Sequence, residues 1–331
     1  MPFGDSVEVK KNRLRVAVIG VGHLGEYHVQ KYLSIPDVEV VGVVDIDPDR
    51  ANEIGQRYDL DAYVDRRDIL GRVDAVSLAV TTQMHFDVAK DVLSKGVHML
   101  IEKPITYDLS EADTLIGMAR QRNLVLQVGL VERFNPAVVM MRPLLNSPVF
   151  IESHRMNLFT KRGLDVDVVL DLMIHDLDII LDIVQADVKH VHAVGMPVIT
   201  DKTDIANARI VFEDGTAANL TASRVSGKML RKIRVFQPDA YMSADCGKRQ
   251  LTVISLDTKT RDSDDFPQVS TSKEKCSEAD PLADEISSFV DAVTNRSEPV
   301  VTGQDGRNAL EVALGIIEQI ERGCKDFRAI S

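Results

Sequence analysis

Short runs of β-branched and aliphatic residues alternate with longer amphipathic stretches over the first third of the chain. Leu14 to Ile19, Val38 to Val44, Ala75 to Val80, Val97 to Ile101 and Leu124 to Val128 are near-continuous apolar runs of strand length. Strands apolar on both faces and separated by helix-length segments specify a parallel sheet with helices on either side, because each parallel connection must carry the chain back to the start of the next strand. Residues 1–130 are therefore expected to form a doubly wound α/β domain.

After about residue 130 the pattern changes. A helical stretch near Phe134 to Leu145, a strand near Val149 to Met156 and a strongly apolar helix from Val168 to Val184 come first. Strands then dominate, at Ala206 to Phe212, Thr216 to Ser223, Lys232 to Phe236 and Leu251 to Leu256, with Asp214 and Gly215 as a hairpin signal. Residues 131–331 are expected to form an α+β domain with a largely antiparallel open sheet, used for substrate binding and oligomerisation. Pairing two such open faces would bury them, so a homo-oligomer is expected. The stretch from Thr258 to Asp280, rich in Asp, Ser, Thr and Lys, is expected to be an exposed loop. Helices around Leu282 to Val293 and Gln304 to Ile320 follow it.

Composition narrows the function. At about 150 residues per domain, 331 residues correspond to two domains. The 39 basic and 51 acidic residues give a net charge of −12, which argues against a nucleic-acid or anionic-membrane partner. The start from Met1 to Leu14 is polar, and no apolar run approaches the ~20 residues of a membrane helix. Cys246, Cys276 and Cys324 lie far apart and match neither a zinc site nor a disulfide framework, so a reducing cytoplasm is the expected compartment.

The segment Gly20-Val21-Gly22-His23-Leu24-Gly25 places a GxGxxG spacing where the first strand ends and a helix should begin. Gly20 permits the tight turn, Gly22 lets the backbone approach a pyrophosphate, and Gly25 lets the helix pack on the strand. The helix start, at His23 and Leu24, supplies amide donors to an anion. Asp45 ends the second strand 20 residues after Gly25, where a carboxylate can accept hydrogen bonds from an adenosine ribose. This is the signature of a Rossmann-type dinucleotide site. Asp45 favours NAD over NADP by repelling the additional phosphate, although Arg50 nearby leaves room for NADP.

Three more segments carry candidate chemistry: Val80-Thr81-Thr82-Gln83-Met84-His85, Glu102-Lys103-Pro104, and Asp171-Leu172-Met173-Ile174-His175-Asp176-Leu177-Asp178. Loops at the carboxyl ends of parallel strands form the ligand crevice, which puts Thr81 and His85 on the cofactor side, with a helix cap as the alternative for His85. Glu102 is counted with them. Asp171 and His175, four residues apart, share a helical face, so the carboxylate can orient an imidazole that exchanges a proton with a substrate hydroxyl. Asp178 shares that face as well, but carboxylates with one His lack a zinc pattern, and no metal is expected. Taken singly, Lys-Pro is an ordinary strand exit and Asp-x-x-x-His an ordinary ion pair or cap.

Together with GxGxxG these segments resemble the glucose-fructose oxidoreductase, inositol dehydrogenase and MocA (Gfo/Idh/MocA) family, from about Arg15 to the C-terminal helices. The resemblance implies a nicotinamide-dependent oxidoreductase whose reaction site is Lys103, Asp171 and His175, with Lys103 polarising a sugar hydroxyl beside the nicotinamide. It also implies that a cis peptide often precedes Pro104, and that Arg133, in Val131-Glu132-Arg133-Phe134-Asn135-Pro136, belongs to the segment joining the domains next to the nicotinamide. An interdomain ion pair is the alternative for Arg133.

The chain departs from the common family pattern. Val168, Val169 and Leu170 replace a glycine-rich lead-in, Met173 stands where Gly is frequent, and Thr82 replaces the usual Pro. The run from Arg155 to Gly163, followed by Asp165 to Asp171, looks like a branch that oxidises nucleotide sugars such as UDP-N-acetylglucosamine at the 3-hydroxyl. The resulting 3-keto sugar would feed an aminotransferase in lipid A or other surface-glycan synthesis. Lys161 and Arg162 are candidates to hold the diphosphate, with His175 also on the substrate. A second basic cluster, Arg224, Lys228, Arg231, Lys232 and Arg234, either holds a nucleotide or is a solvated sheet face. A dehydrogenase of a free polyol such as an inositol, and a non-catalytic NAD-binding sensor or scaffold, are the competing readings.

Overall fold

The computed structural model describes residues 13–160, 166–261, 267–276 and 278–330. The chain divides into two compact units. The first holds the chain up to Glu102 with Thr114–Gln127 and Ile286–Val300, and the second holds Lys103–Asp113, Val128–Glu285 and the chain from Val301 onward.

The first unit is built on β1 (Leu14–Ile19), β2 (Val38–Val44), β3 (Asp61–Tyr63), β4 (Ala75–Leu78), β5 (His98–Glu102) and β6 (Leu126–Gly129), in the sheet order β3-β2-β1-β4-β5-β6. β1 pairs parallel with both β2 and β4, so the strand order reverses at β1, where open α/β sheets bind ligands beyond their carboxyl ends. Val16, Ala17 and Val18 of β1 are fully buried, as a strand covered on both faces requires. Helices α1 (His23–Leu33), α2 (Pro48–Tyr58), α3 (Thr82–Ser94) and α4 (Leu109–Gln121) connect the strands. α2 starts where its sequence says it should: Asp47 accepts from the Asp49 amide at 3.0 Å, and Pro48 occupies the first turn.

In the second unit, short 3₁₀ turns at Val131–Phe134 and Arg142–Leu144 flank α5 (Pro136–Met141), where a single helix over 134–145 is expected from the sequence. β7 (Phe150–Met156) follows, and then a π-helical turn over Val169–Met173 leads into α6 (Ile174–Val184). The eight-stranded sheet adds β8 (Val188–Met196), β9 (Ile205–Phe212), β10 (Ala217–Ser223), β11 (Leu230–Gln237), β12 (Ala240–Asp245), β13 (Gln250–Arg261) and β14 (Pro267–Lys275), in the order β14-β13-β12-β11-β7-β10-β9-β8. Its pairings are antiparallel apart from β10 with β7. α7 (Pro281–Asn295) and α8 (Gly303–Ile330) end the chain.

One face of this sheet is the core. Ile151, Ala206, Ala208, Ile210, Leu220, Ile233 and Val235 are buried on it. α8 lies against β8 and α6, and the Gln319 side chain accepts from the Ala193 amide at 3.0 Å. Within the expected loop over 258–280, β14 pairs antiparallel with β13, in one register from Gln250 opposite Lys275 to Asp257 opposite Gln268 and with a shift before Arg261 opposite Pro267. β14 is exposed along almost its whole length, so no buried apolar face marks it in the sequence. Among the described residues no helix is long and apolar enough to cross a membrane.

Candidate active site

In the first unit, the candidate cofactor residues lie on the turn from β1 into α1. Gly20 sits at φ +83°, and a Cβ there would come within 2.7 Å of the Val80 amide nitrogen. At Gly25 a Cβ would lie 1.9 Å from the Gly20 carbonyl oxygen, so only glycine lets α1 pack this close. Gly22 is different, because a Cβ there would meet nothing within 4 Å. That open space lies at the start of α1, where the first amides have no partner within the helix, and exposed His23 and Leu24 begin the helix. A pyrophosphate fits such a cradle.

At the end of β2, Asp45 accepts from the Val21 amide at 2.9 Å and from the Asp47 amide at 3.0 Å, which fixes the carboxylate beside the glycine turn. Arg50 donates to the Val21 carbonyl at 2.7 Å, to Glu26 at 2.7 Å and to Glu53 at 2.8 Å. The cation that left room for NADP is thus already engaged. Thr81, exposed, is the N-cap of α3, with no capping hydrogen bond from its side chain.

Two residues expected on the cofactor side are held differently. His85 is buried, and its Nε2 lies 3.2 Å from the Val80 carbonyl oxygen, so its ring faces the loop backbone. Glu102 is buried with its Oε1 3.1 Å from His28 Nε2. His28 Nδ1 in turn meets Ser77 Oγ at 3.1 Å, and Tyr32 Oη lies 2.8 Å from that hydroxyl. This chain ties α1 to β4 and to the end of β5, and its members are too far apart in sequence for any local spacing to reveal them.

The candidate reaction residues lie within the second unit. Lys103, joined to Pro104 by a cis peptide, donates from Nζ to the Asp171 carbonyl oxygen at 2.6 Å and to Asp171 Oδ1 at 3.1 Å. Asp171 belongs to the π-helical turn, and Asp167 starts that turn by accepting from the Val169 amide at 2.8 Å. Such turns recur at functional sites, where they change the side-chain register of a helix.

The expected pairing of Asp171 with His175 is therefore corrected: the carboxylate is held by an ammonium, a charge-assisted contact stronger than one to a neutral imidazole. His175 lies in the first turn of α6. Its Nδ1 is shielded from solvent and has no hydrogen-bond partner among the described residues. Burial, and then the charges of Lys103, Arg155 and Arg231, hold its imidazole well below the usual histidine range, so it is neutral at neutral pH.

Behind this group the acidic residues of α6 meet buried arginines. Arg155 of β7 donates to Asp176 at 2.6 Å and to Glu132 at 2.7 Å, and Asn135 holds the other oxygen of Glu132 at 3.0 Å. Burial alone would raise the Glu132 carboxyl, but Arg155 holds it below the usual carboxylate range. Arg155 was not among the expected site residues. Its signal was a charge at an inward position of a strand, between buried Ile151 and Ser153 and the strand end.

Arg133 is buried, donates to both oxygens of Asp178 and lies 2.8 Å from Asp182, all within the second unit, rather than in an ion pair between the units. Burial pushes the Asp178 carboxyl up to about 6 even against that guanidinium. With Asp178 taken by Arg133 and Asp171 by Lys103, no group of three or more His, Cys, Asp or Glu is arranged to hold a metal among the described residues. Burial also raises the Cys246 thiol, which leaves it unreactive. Lys161 and Arg162 lie outside the described residues.

Residues 14–130 match the model of an oxidoreductase family with an NAD-binding Rossmann fold, and residues 142–237 match the GFO/IDH/MocA C-terminal domain. The chain belongs to the Gfo/Idh/MocA family. It is 40% identical over 309 residues to the UDP-N-acetylglucosamine 3-dehydrogenase of Acidithiobacillus ferrooxidans, covering 93% of this chain and 97% of that one. A solved structure of that dehydrogenase aligns with a TM-score of 0.86 at 38% identity, over 94% of this chain and 98% of the other. The NAD-dependent scyllo-inositol 2-dehydrogenase of Bacillus subtilis is 25% identical over 336 residues, covering 95% of this chain and 96% of that protein. The protein is accordingly a Gfo/Idh/MocA dehydrogenase with a nicotinamide-binding Rossmann domain.

Proposed function

We propose that this dehydrogenase oxidises the 3-hydroxyl of UDP-N-acetylglucosamine, or of a closely similar nucleotide sugar, to a ketone, with NAD as the oxidant. The chemistry rests on one observation: Lys103, bonded to Asp171, lies close enough to the neutral imidazole of His175 for its charge to act on that ring, all within a single unit. The choice of sugar rests on the 40% identity to the Acidithiobacillus ferrooxidans enzyme.

In this reading the residues of the chain divide the work. His175, with Nδ1 enclosed, takes the proton of the 3-hydroxyl at Nε2. Lys103 stabilises the alkoxide that develops as the carbon–oxygen bond gains double-bond character, and Asp171 holds the Lys103 ammonium in place. The nicotinamide, when bound, supplies the acceptor for the hydride leaving the sugar carbon. Gly20, Gly22, Gly25 and the first amides of α1 would hold the pyrophosphate, and Asp45 the adenosine ribose.

NAD rather than NADP is supported by Asp45, whose carboxylate repels an added phosphate, and by Arg50, which Glu26 and Glu53 already engage. A 3-keto nucleotide sugar is an aminotransferase substrate, which fits amino-sugar synthesis for lipid A or another surface glycan, carried out in the cytoplasm. The test mixes the protein with NAD, UDP-N-acetylglucosamine and a carbonyl trap and follows reduced nicotinamide by absorbance. Sugar-dependent reduction is expected. Turnover of inositol with none of the nucleotide sugar would replace this proposal with a free-polyol dehydrogenase.

A further inference from the structure

The structure sorts the basic cluster Arg224, Lys228, Arg231, Lys232 and Arg234 by face. On β11, Ile233 and Val235 are fully buried on the core side of the sheet. Lys232 and Arg234 therefore point the other way, where Lys232 lies 3.6 Å from Asp245 and Arg234 lies 3.3 Å from Glu152. Arg224 is buried and donates to the Val166 carbonyl at 2.6 Å. Lys228 is exposed in the connection from β10 to β11. Of the five, Arg231 is the one that shares the core face of β11 with Ile233.

Arg231 pairs in register with Arg155, and Arg155 grips Asp176, the residue after His175. Arg231 is thus placed beside the reacting group, and its charge is one of those that depress the His175 imidazole. Its acidic neighbour among the described residues is Glu132, whose Oε1 lies 3.6 Å away, beyond hydrogen-bonding reach, and is bonded by Arg155 at 2.7 Å. The Arg231 side chain is 40% exposed, against 8% for Glu132. A guanidinium fork with spare donors open to solvent, next to the residue that handles the hydroxyl, suits a diphosphate. Asn157, just beyond the end of β7 and two residues after Arg155, adds an amide oxygen shielded from solvent with no donor among the described residues.

We propose that Arg231 binds the diphosphate of the nucleotide-sugar substrate and so sets the preference for nucleotide sugars over free sugars, with the Asn157 amide oxygen receiving a hydrogen bond from the sugar. This deepens the function proposed above and rests on it. Arg231 touches the substrate at its diphosphate and not at the reacting carbon, so its loss weakens binding more than turnover.

The test measures steady-state kinetics for UDP-N-acetylglucosamine and free N-acetylglucosamine, and calorimetric binding of UDP, in the wild type, Arg231→Gln and Arg231→Lys. In Arg231→Gln the KM for the nucleotide sugar and the Kd for UDP should rise roughly 10- to 100-fold, and kcat/KM should fall more for the nucleotide sugar than for the free sugar. Arg231→Lys should recover part of the loss, because it keeps the charge and loses the fork. Unchanged KM and unchanged UDP binding in Arg231→Gln, or an equal loss with the free sugar, would overturn the inference. If Arg231→Gln does not fold, Arg231→Lys decides, and a KM and UDP Kd equal to the wild type in that variant would overturn it. A wild type that binds UDP through Arg231 but does not reduce NAD with the nucleotide sugar would refute the proposed reaction while sustaining the anion site.

Discussion

A histidine acts as a base only in its neutral form, and at position 175 the surroundings keep it so. Burial and the cations Lys103, Arg155 and Arg231 oppose protonation, so its titration is displaced toward acid from the ordinary imidazole value. The profile of kcat/KM against pH should therefore stay flat as pH falls through about 6.5 and drop only at more acidic pH. An acid limb centred near 6.5 would contradict the assigned environment. Arg133 offers a second residue-level test, because removing it leaves Asp178 buried without its cation while Asp182 keeps Arg142. Arg133→Met should lose about 3–5 kcal/mol in urea unfolding while the folded protein keeps its NAD affinity. Lost NAD affinity at unchanged stability would return Arg133 to the cofactor.

At this scale the sequence showed types better than partners. Lys103, Asp171 and His175 stood out through the family resemblance, since singly each has an ordinary reading, and the structure bonds Lys103 to Asp171. Which of them pairs with which was not legible, since Lys103 reaches Asp171 across 68 residues of chain. Arg155 and Asp176 were missed for the same reason, being 21 residues apart on a strand and a helix.

At the scale of elements, the glycine turn was legible residue by residue because each glycine answers a separate steric demand. That yields a contrast between two substitutions. Gly25→Ala drives a Cβ into the Gly20 carbonyl and should dislodge α1, lowering the melting temperature and abolishing NAD binding. Gly22→Ala meets no protein atom within 4 Å, so thermal unfolding should be unchanged while the Kd for NAD rises about tenfold or more, because the added methyl occupies the pyrophosphate space. A Gly22→Ala protein that binds NAD normally would remove the pyrophosphate from that turn. β1 and β2 were read to the residue because strands covered on both faces are nearly continuously apolar, with Arg15 and Glu39 only near their starts. β8 and β14 were not: β8 carries Lys and His between its apolar positions, and β14 has almost no buried face. The π-helical turn was also invisible, since five residues are too few to separate one helical period from another.

At the scale of the whole molecule, the switch from a parallel to an antiparallel pattern near residue 130 was plain in the sequence. The passage of Lys103–Asp113 into the second unit and of Ile286–Val300 into the first was not, because it depends on contacts distant along the chain. In the second unit, the sheet face opposite α8 presents exposed Val194, Met196, Asn207 and Arg209. We expect two copies to cover such faces, so sedimentation should report a dimer or tetramer, and a monomer at working concentration would reject this. The central claim is that the hydride comes from C3 of a nucleotide sugar under the care of Lys103 and His175. Its most direct test incubates the protein with NAD and UDP-N-acetylglucosamine carrying deuterium at C3, and reads the nicotinamide by mass spectrometry. Deuterium in the reduced nicotinamide, lost in Lys103→Ala and His175→Ala, is the predicted result; reduction with deuterium retained on the sugar would contradict it.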